Sequence, residues 1–143
     1  MKVKQISLFL ENKSGRLFEV SRIFGEKAVN IRALSIADTS DFGILRLIVD
    51  APEKASEILK KEGFTVSETE VIAVEVPDRP GGLAGVLKIF GEKGINIEYM
   101  YAFVGASLNN AVVVIRVEEI DRAISLLRES EIHLLTGSEV YKL

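Results

Sequence analysis

Apolar residues crowd the stretch from Val3 to Leu10, which reads as a strand until the polar Asn12-Lys13-Ser14-Gly15 breaks it. Leu17, Val20 and Phe24 then recur at helical spacing and predict a helix from near Gly15 to near Ala28. Ile31 to Ala37 predicts a second strand, Asp38-Thr39-Ser40-Asp41 a polar turn, and Gly43 to Val49 a third strand. Pro52 suits the first turn of a helix whose apolar face is Ala55, Ile58 and Leu59 and whose stop is Gly63. Phe64 to Ser67 predicts a short fourth strand. Strand, helix, strand, strand, helix, strand is the order of the ferredoxin-like βαββαβ unit.

The same order follows again. Val71 to Val76 reads as a strand and Asp78-Arg79-Pro80-Gly81-Gly82 as the turn after it. Leu83, Val86, Leu87 and Phe90 form a cleaner helical stripe than their first-half counterparts, and Gly94 ends it. Ile95 to Phe103 and Ala111 to Val117 predict the middle strands, Ile120 to Ser130 a helix, and Ile132 to Leu135 a last strand. Glu139-Val140 echoes Glu70-Val71, which predicts a further edge strand at the tail.

The two halves also match letter by letter. Ile23-Phe24-Gly25-Glu26-Lys27 recurs as Ile89-Phe90-Gly91-Glu92-Lys93, 66 positions later. Between positions 12 and 31, ten of twenty residues recur at that offset, where chance would supply about one. The expected architecture is therefore α+β, two ferredoxin-like domains over residues 1–69 and 70–143 with matching topology and an approximate twofold axis. Halves of roughly 70 residues are marginally stable alone, so they are expected to pack against each other. No stretch rich in Pro, Gly or Ser separates them.

Composition removes several classes of function. There is no cysteine, hence no disulfide, thiolate zinc site or thiol nucleophile. The net charge is −3, and no basic tail or stripe offers a nucleic-acid or membrane footprint. No signal-peptide core or membrane-length apolar run is present, so a cytoplasmic location is the expectation. His133 is the single imidazole and lacks partners at catalytic spacing, and no paired-carboxylate motif or phosphate-binding loop appears. No catalytic residue, metal or cofactor is expected.

The two strand-to-helix turns are the candidate sites. Each offers backbone N–H groups at a helix N-terminus, where a carboxylate is welcome. Gly15, Gly81 and Gly82 allow close approach to the backbone, and Asn12 and Asp78 add a polar side chain. The competing reading is that these residues only cap helices and make turns. Asn30 and Asn96 hold equivalent places before the second strand of each half, where an amide can serve a zwitterion or make a local turn bond. Tyr99, Tyr101 and Phe103 share one strand face, and their first-half counterparts are the small Ala33, Ser35 and Ala37, as expected for packing, including of half on half, for a pocket wall or for an RNA-stacking platform. The acidic composition weighs against RNA.

At these turns the chain resembles the ACT domain family of small-molecule regulatory modules. The resemblance is carried by Asp78-Arg79-Pro80-Gly81-Gly82-Leu83, Ile89-Phe90 and Gly94-Ile95-Asn96-Ile97, with a weaker copy in Asn12, Gly15, Leu17, Ile23-Phe24 and Asn30-Ile31. It implies a tandem ACT module, non-catalytic, binding a free amino acid where two ACT domains meet. In the serine-sensing domain of phosphoglycerate dehydrogenase, one Asn in the first turn and another before the second strand hold the effector. Those positions match Asn12 and Asp78, and Asn30 and Asn96. The His that precedes the turn Asn in that relative is Leu10 or Val76 here, and the usual Pro of the first turn is Ser14. The candidate binding residues are Asn12, Gly15, Arg16, Leu17 and Asn30, with Asp78, Pro80, Gly81, Gly82, Leu83, Asn96 and Tyr99. The 78–83 turn, with two glycines and a carboxylate for the ligand's ammonium, is expected to be the better site, completed by Asn30 from the other half. A homodimer is the expected assembly. A subunit docking an amino-acid biosynthetic enzyme, as the small acetolactate synthase subunit does, is the alternative. A last expectation concerns Gly25 and Gly91, which cost helix stability in their places and so predict close packing against a neighbouring backbone.

Overall fold

The computed structural model describes residues 1–38, 41–103 and 110–143. The chain runs β1 (Val3–Glu11), α1 (Arg16–Glu26), β2 (Ile31–Asp38), β3 (Phe42–Val49), α2 (Pro52–Lys61) and β4 (Val66–Pro77). It continues with α3 (Gly82–Glu92), β5 (Ile97–Ala102), β6 (Asn110–Val117), α4 (Ile120–Glu129), β7 (Leu134–Leu135) and α5 (Gly137–Tyr141). The expected repeats are present, and α1 and α3 occupy the same topological place in each. The turns expected at 38–41 and between β5 and β6 fall largely outside the described residues.

All strands join one antiparallel sheet in the order β2-β3-β1-β4-β6-β5, with β7 also on β4. Strand β4 is the hinge of this arrangement. Its first half pairs with β1 from Val66↔Leu8 to Val71↔Val3, and its second half pairs with β6 from Ile72↔Ile115 to Pro77↔Asn110. The separate strands expected at 64–67 and 71–76 are thus a single strand of 12 residues. The polar Ser67-Glu68-Thr69-Glu70 suggests a break, yet no Gly or Pro interrupts it and each of these residues finds a partner on β1. The two halves therefore share a strand. A bridge between Ala33 and Phe103 brings β2 to β5, the two ends of the sheet, so the sheet curls round on itself.

The helices cover the outer face. Val20 and Phe24 of α1 and Ala55 and Leu59 of α2 pack on Ile6, Leu8, Leu45 and Leu47. Val86, Phe90, Ala123 and Leu127 do the same on Ile72, Val74, Val113 and Ile115. Leu17 and Leu83, at the helix starts, lie outside these cores and are exposed. A third core fills the curl between the half-sheets, where Val3, Ala33 and Ile48 meet Val71, Ala73, Val112 and Val114. Tyr101 and Phe103 pack against it, so bulk on one half meets space on the other.

Two expectations fail. The tail is a helix rather than an edge strand. Thr136 accepts a hydrogen bond from the Glu139 N–H at 3.2 Å, and the Glu139 carboxylate accepts one from the Thr136 N–H at 2.7 Å, a capping box that starts α5. Val140 is then buried in the third core, and the Tyr141 hydroxyl accepts from the Lys4 N–H at 3.0 Å. Gly25 and Gly91 do not pack closely: a Cβ at either would find no atom within 4 Å. Each sits on the solvent side of its helix.

Candidate functional site

The two strand-to-helix turns are built alike. After β1, the Lys13 N–H donates to the Glu11 carbonyl at 2.8 Å and the Arg16 N–H to the Lys13 carbonyl at 3.3 Å. After β4, Arg79 donates to Pro77 at 2.9 Å and Gly82 to Arg79 at 3.0 Å. Gly15 and Gly81 close the turns in the left-handed region, with φ of 86° and 84°, which favours glycine. Neither helix start has a capping side chain. The cap residue therefore supplies no side-chain acceptor to the first-turn N–H groups, at the positive end of each helix.

The surroundings of the two turns differ. A cleft of about 200 Å³ opens beside the first, lined by Asn12, Lys13, Arg16 and Leu17, with Leu10 and Ile36 behind them. Arg16 pairs with Glu19 at 3.0 Å and with Glu11 at 3.4 Å. Lys13, and after it Arg16, hold the Glu11 carboxyl below the usual range. At the second turn, a Cβ on Gly82 would overlap the Pro77 carbonyl oxygen. The turn's own fold therefore requires that glycine. Asp78, Pro80, Gly81 and Leu83 are exposed around it.

Asn30 and Asn96 lie elsewhere. The Asn30 backbone is held by Asp50: its N–H donates to Asp50 Oδ1 at 2.9 Å and its carbonyl accepts from the Asp50 N–H at 3.0 Å. Because β2 and β5 meet antiparallel, Asn30 opens β2 at the end of the sheet where β4 runs into the 78–83 turn, with β5 and β6 between them. Asn96 is exposed before β5. Tyr99 belongs to neither turn. It stands inside the curl, its ring under the Arg46 guanidinium at 3.8 Å and its hydroxyl accepting from Gln5 Nε2 at 2.7 Å.

Gln5 is the residue that sequence reasoning missed. It is fully buried, and its amide also donates to Ser7 Oγ at 3.2 Å and accepts from the Tyr101 hydroxyl at 2.6 Å. Burial pushes the Tyr101 phenol well above its ordinary value. Gln5 and Arg46 are polar residues at inward positions of otherwise apolar strands, a signal readable only once the inward face is known. Tyr101 and Phe103 pack on the third core, and Tyr99 and Tyr101 join the Gln5 network. His133 is exposed, 3.9 Å from Glu75. No cluster of metal-ligating side chains occurs among the described residues, nor is any helix among them long and apolar enough to cross a membrane.

Paired βαββαβ repeats with glycine-closed, uncapped turns define a duplicated ferredoxin-like module. The chain belongs to the ACT family: the family model for an ACT domain pair matches residues 1–143. The crystal structure of a Bacteroides thetaiotaomicron protein is similar over 100% of this chain and 98% of that one, with 47% identity and a TM-score of 0.94. The regulatory subunit of aspartate kinase from Thermus thermophilus shares the fold at 18% identity and a TM-score of 0.64, covering 89% of this chain and 91% of that one. Its counterpart from Thermus flavus matches at 16% identity and a TM-score of 0.61, over 90% and 92% of the two chains. No curated protein sequence matches the chain.

Proposed function

We propose that the protein is a non-catalytic, cytoplasmic regulatory module that binds a free amino acid at its strand-to-helix turns. The carrying observation is the uncapped start of α1 beside a cleft lined by Asn12 and Arg16, in a chain that is an ACT domain pair throughout. Backbone N–H groups there suit a carboxylate, and the Asn12 amide suits the ammonium group. The 78–83 turn, with Asp78 as the ammonium partner, is the equivalent site of the second half. Asn30 and Asn96 are the residues that a neighbouring domain would present.

The test is a thermal-shift screen against the twenty amino acids, since a ligand that binds only the folded state raises its stability. Titration calorimetry of Asn12→Ala and Asp78→Ala follows with the amino acid selected. Loss of affinity in either supports the assignment. Unchanged affinity in both folded variants refutes it.

A homodimer is part of the same proposal. Phe9, Phe18 and Phe42, with Leu17 and Ile36, are exposed around the first turn, and such apolar surface marks an interaction face. A sedimentation mass of one chain at micromolar concentration would speak for an enzyme partner on that face instead.

A further inference from the structure

We infer that the open end of the curled sheet holds a second binding site, for a small monocarboxylate, centred on Arg46. The inner face changes character along its length. It is apolar from Ala33 to Val71, is bridged by Gln5 to Tyr99 and Tyr101, and then carries a polar row before Phe9 and Ile44. Strand register places Ser35 beside Arg46, Arg46 beside Ser7, and Ser7 beside Ser67, so one row across β2, β3, β1 and β4 holds a guanidinium among three hydroxyls. A pocket of about 270 Å³ opens over Ser7, Arg46 and Ser67 of this row. Ser7, Arg46, Ser67 and Thr69 line one side of it, and Glu98, Tyr99 and Arg116 the facing half.

The two arginines of the pocket are in different states. Arg116 is engaged: it pairs with Glu98 at 3.6 Å and donates to the Glu70 carbonyl at 3.0 Å. Arg46 is partly buried with its face over the Tyr99 ring, and no carboxylate among the described residues lies within ion-pairing distance of it. A guanidinium withdrawn from water calls for an anion, and its planar fork fits a carboxylate or a phosphate. Arg46 and Arg116 against Glu98 leave the pocket with one positive charge. A singly charged carboxylate neutralises it, whereas a phosphate dianion overcharges it beside Glu98. The Ser7 and Ser67 hydroxyls, which line the pocket, can donate to the same carboxylate. None of these residues belongs to either turn, so the site is additional to the one proposed above.

The experiment follows the Arg46 Nε–Hε resonance in labelled protein during titration with sodium acetate, L-alanine and inorganic phosphate, with sodium chloride as the ionic-strength control. Acetate or L-alanine is expected to move that resonance saturably. Arg46→Gln is expected to weaken the affinity at least about tenfold, and Ser67→Val about three- to tenfold. Ser67 is exposed at the rim, so its variant keeps the test alive if Arg46→Gln does not fold. Asn12→Ala is expected to leave the response unchanged. The inference is overturned if no carboxylate moves the resonance by about ten millimolar, past the range of metabolite sensing. It is also overturned if chloride moves it equally, or if phosphate binds more tightly than acetate. Shifts confined to the 12–17 and 78–83 turns overturn it while leaving the turn reading intact. Shifts confined to Arg46 and its neighbours do the reverse.

Discussion

Replacing Gln5 with Leu tests whether the two halves are tied through the interior of the curl. Leu is close to Gln in volume, so the change is chemical more than steric. It removes the hydrogen bonds to Tyr99, Tyr101 and Ser7, which measure 2.7, 2.6 and 3.2 Å. Three bonds at about 0.5–1.5 kcal/mol net each amount to roughly 1.5–4.5 kcal/mol. Tyr99 lines the open pocket, where water can replace Gln5. Tyr101 packs on the apolar core, and its hydroxyl would be left without a partner at about 1–3 kcal/mol. The expected loss is about 3 kcal/mol, a large part of a domain's usual 5–15 kcal/mol. With a urea slope of about 1–3 kcal/mol/M, the unfolding midpoint falls by about 1–3 M. Tyr101→Phe in the Gln5→Leu background removes the orphaned hydroxyl and restores part of the loss, so a double-mutant cycle yields about 1–2 kcal/mol of coupling. A Gln5→Leu protein within about 0.5 kcal/mol of wild type, together with no coupling to Tyr101, would refute the reasoning.

Gly82→Ala is expected to destabilise by about 1–3 kcal/mol, because its Cβ meets the Pro77 carbonyl. Gly25→Ala and Gly91→Ala, with open space at the Cβ, are expected to stabilise by about 0.5–1 kcal/mol each; denaturation midpoints decide both signs. Thr136→Ala removes the cap of α5 and is expected to cost about 1 kcal/mol, read as faster hydrogen exchange at the Val140 N–H, which donates to the Thr136 carbonyl. The Tyr101 phenol is raised in the fold above its ordinary value of 10. Its contribution is therefore fully present below pH 10 and is lost as pH rises above that, when the unfolded phenol ionises and the folded one does not. Stability curves from pH 8 to 11 should fall less steeply for Tyr101→Phe; identical slopes would exclude the buried phenol as the cause.

The chain by itself determined what depends on local period and on duplication. Helical stripes at Val20 and Phe24, and at Val86 and Phe90, mark faces that must be buried whatever covers them. Gly15 and Gly81 mark turns because only the left-handed region closes them there. In-register recurrence carried the order of one half onto the other. The matches to Asn12, Asn30 and their counterparts came from resemblance, and they name turns rather than a closed pocket. The tertiary structure decided what depends on pairing between distant strands. Ser67 to Glu70 look like a linker until β1 pairs with them. The closure through Ala33 and Phe103 turns a sheet face into an interior, and only then do Gln5 and Arg46 become inward-facing polar groups. At the tail, the echo of Glu70-Val71 pointed to a strand, and the Thr136–Glu139 capping box prevailed because it satisfies the helix start locally. Neither Gly25 nor Gly91, expected to meet a neighbouring backbone, does so, whereas Gly82 meets the Pro77 carbonyl, which arrives through the turn and not through the sequence pattern of a helix.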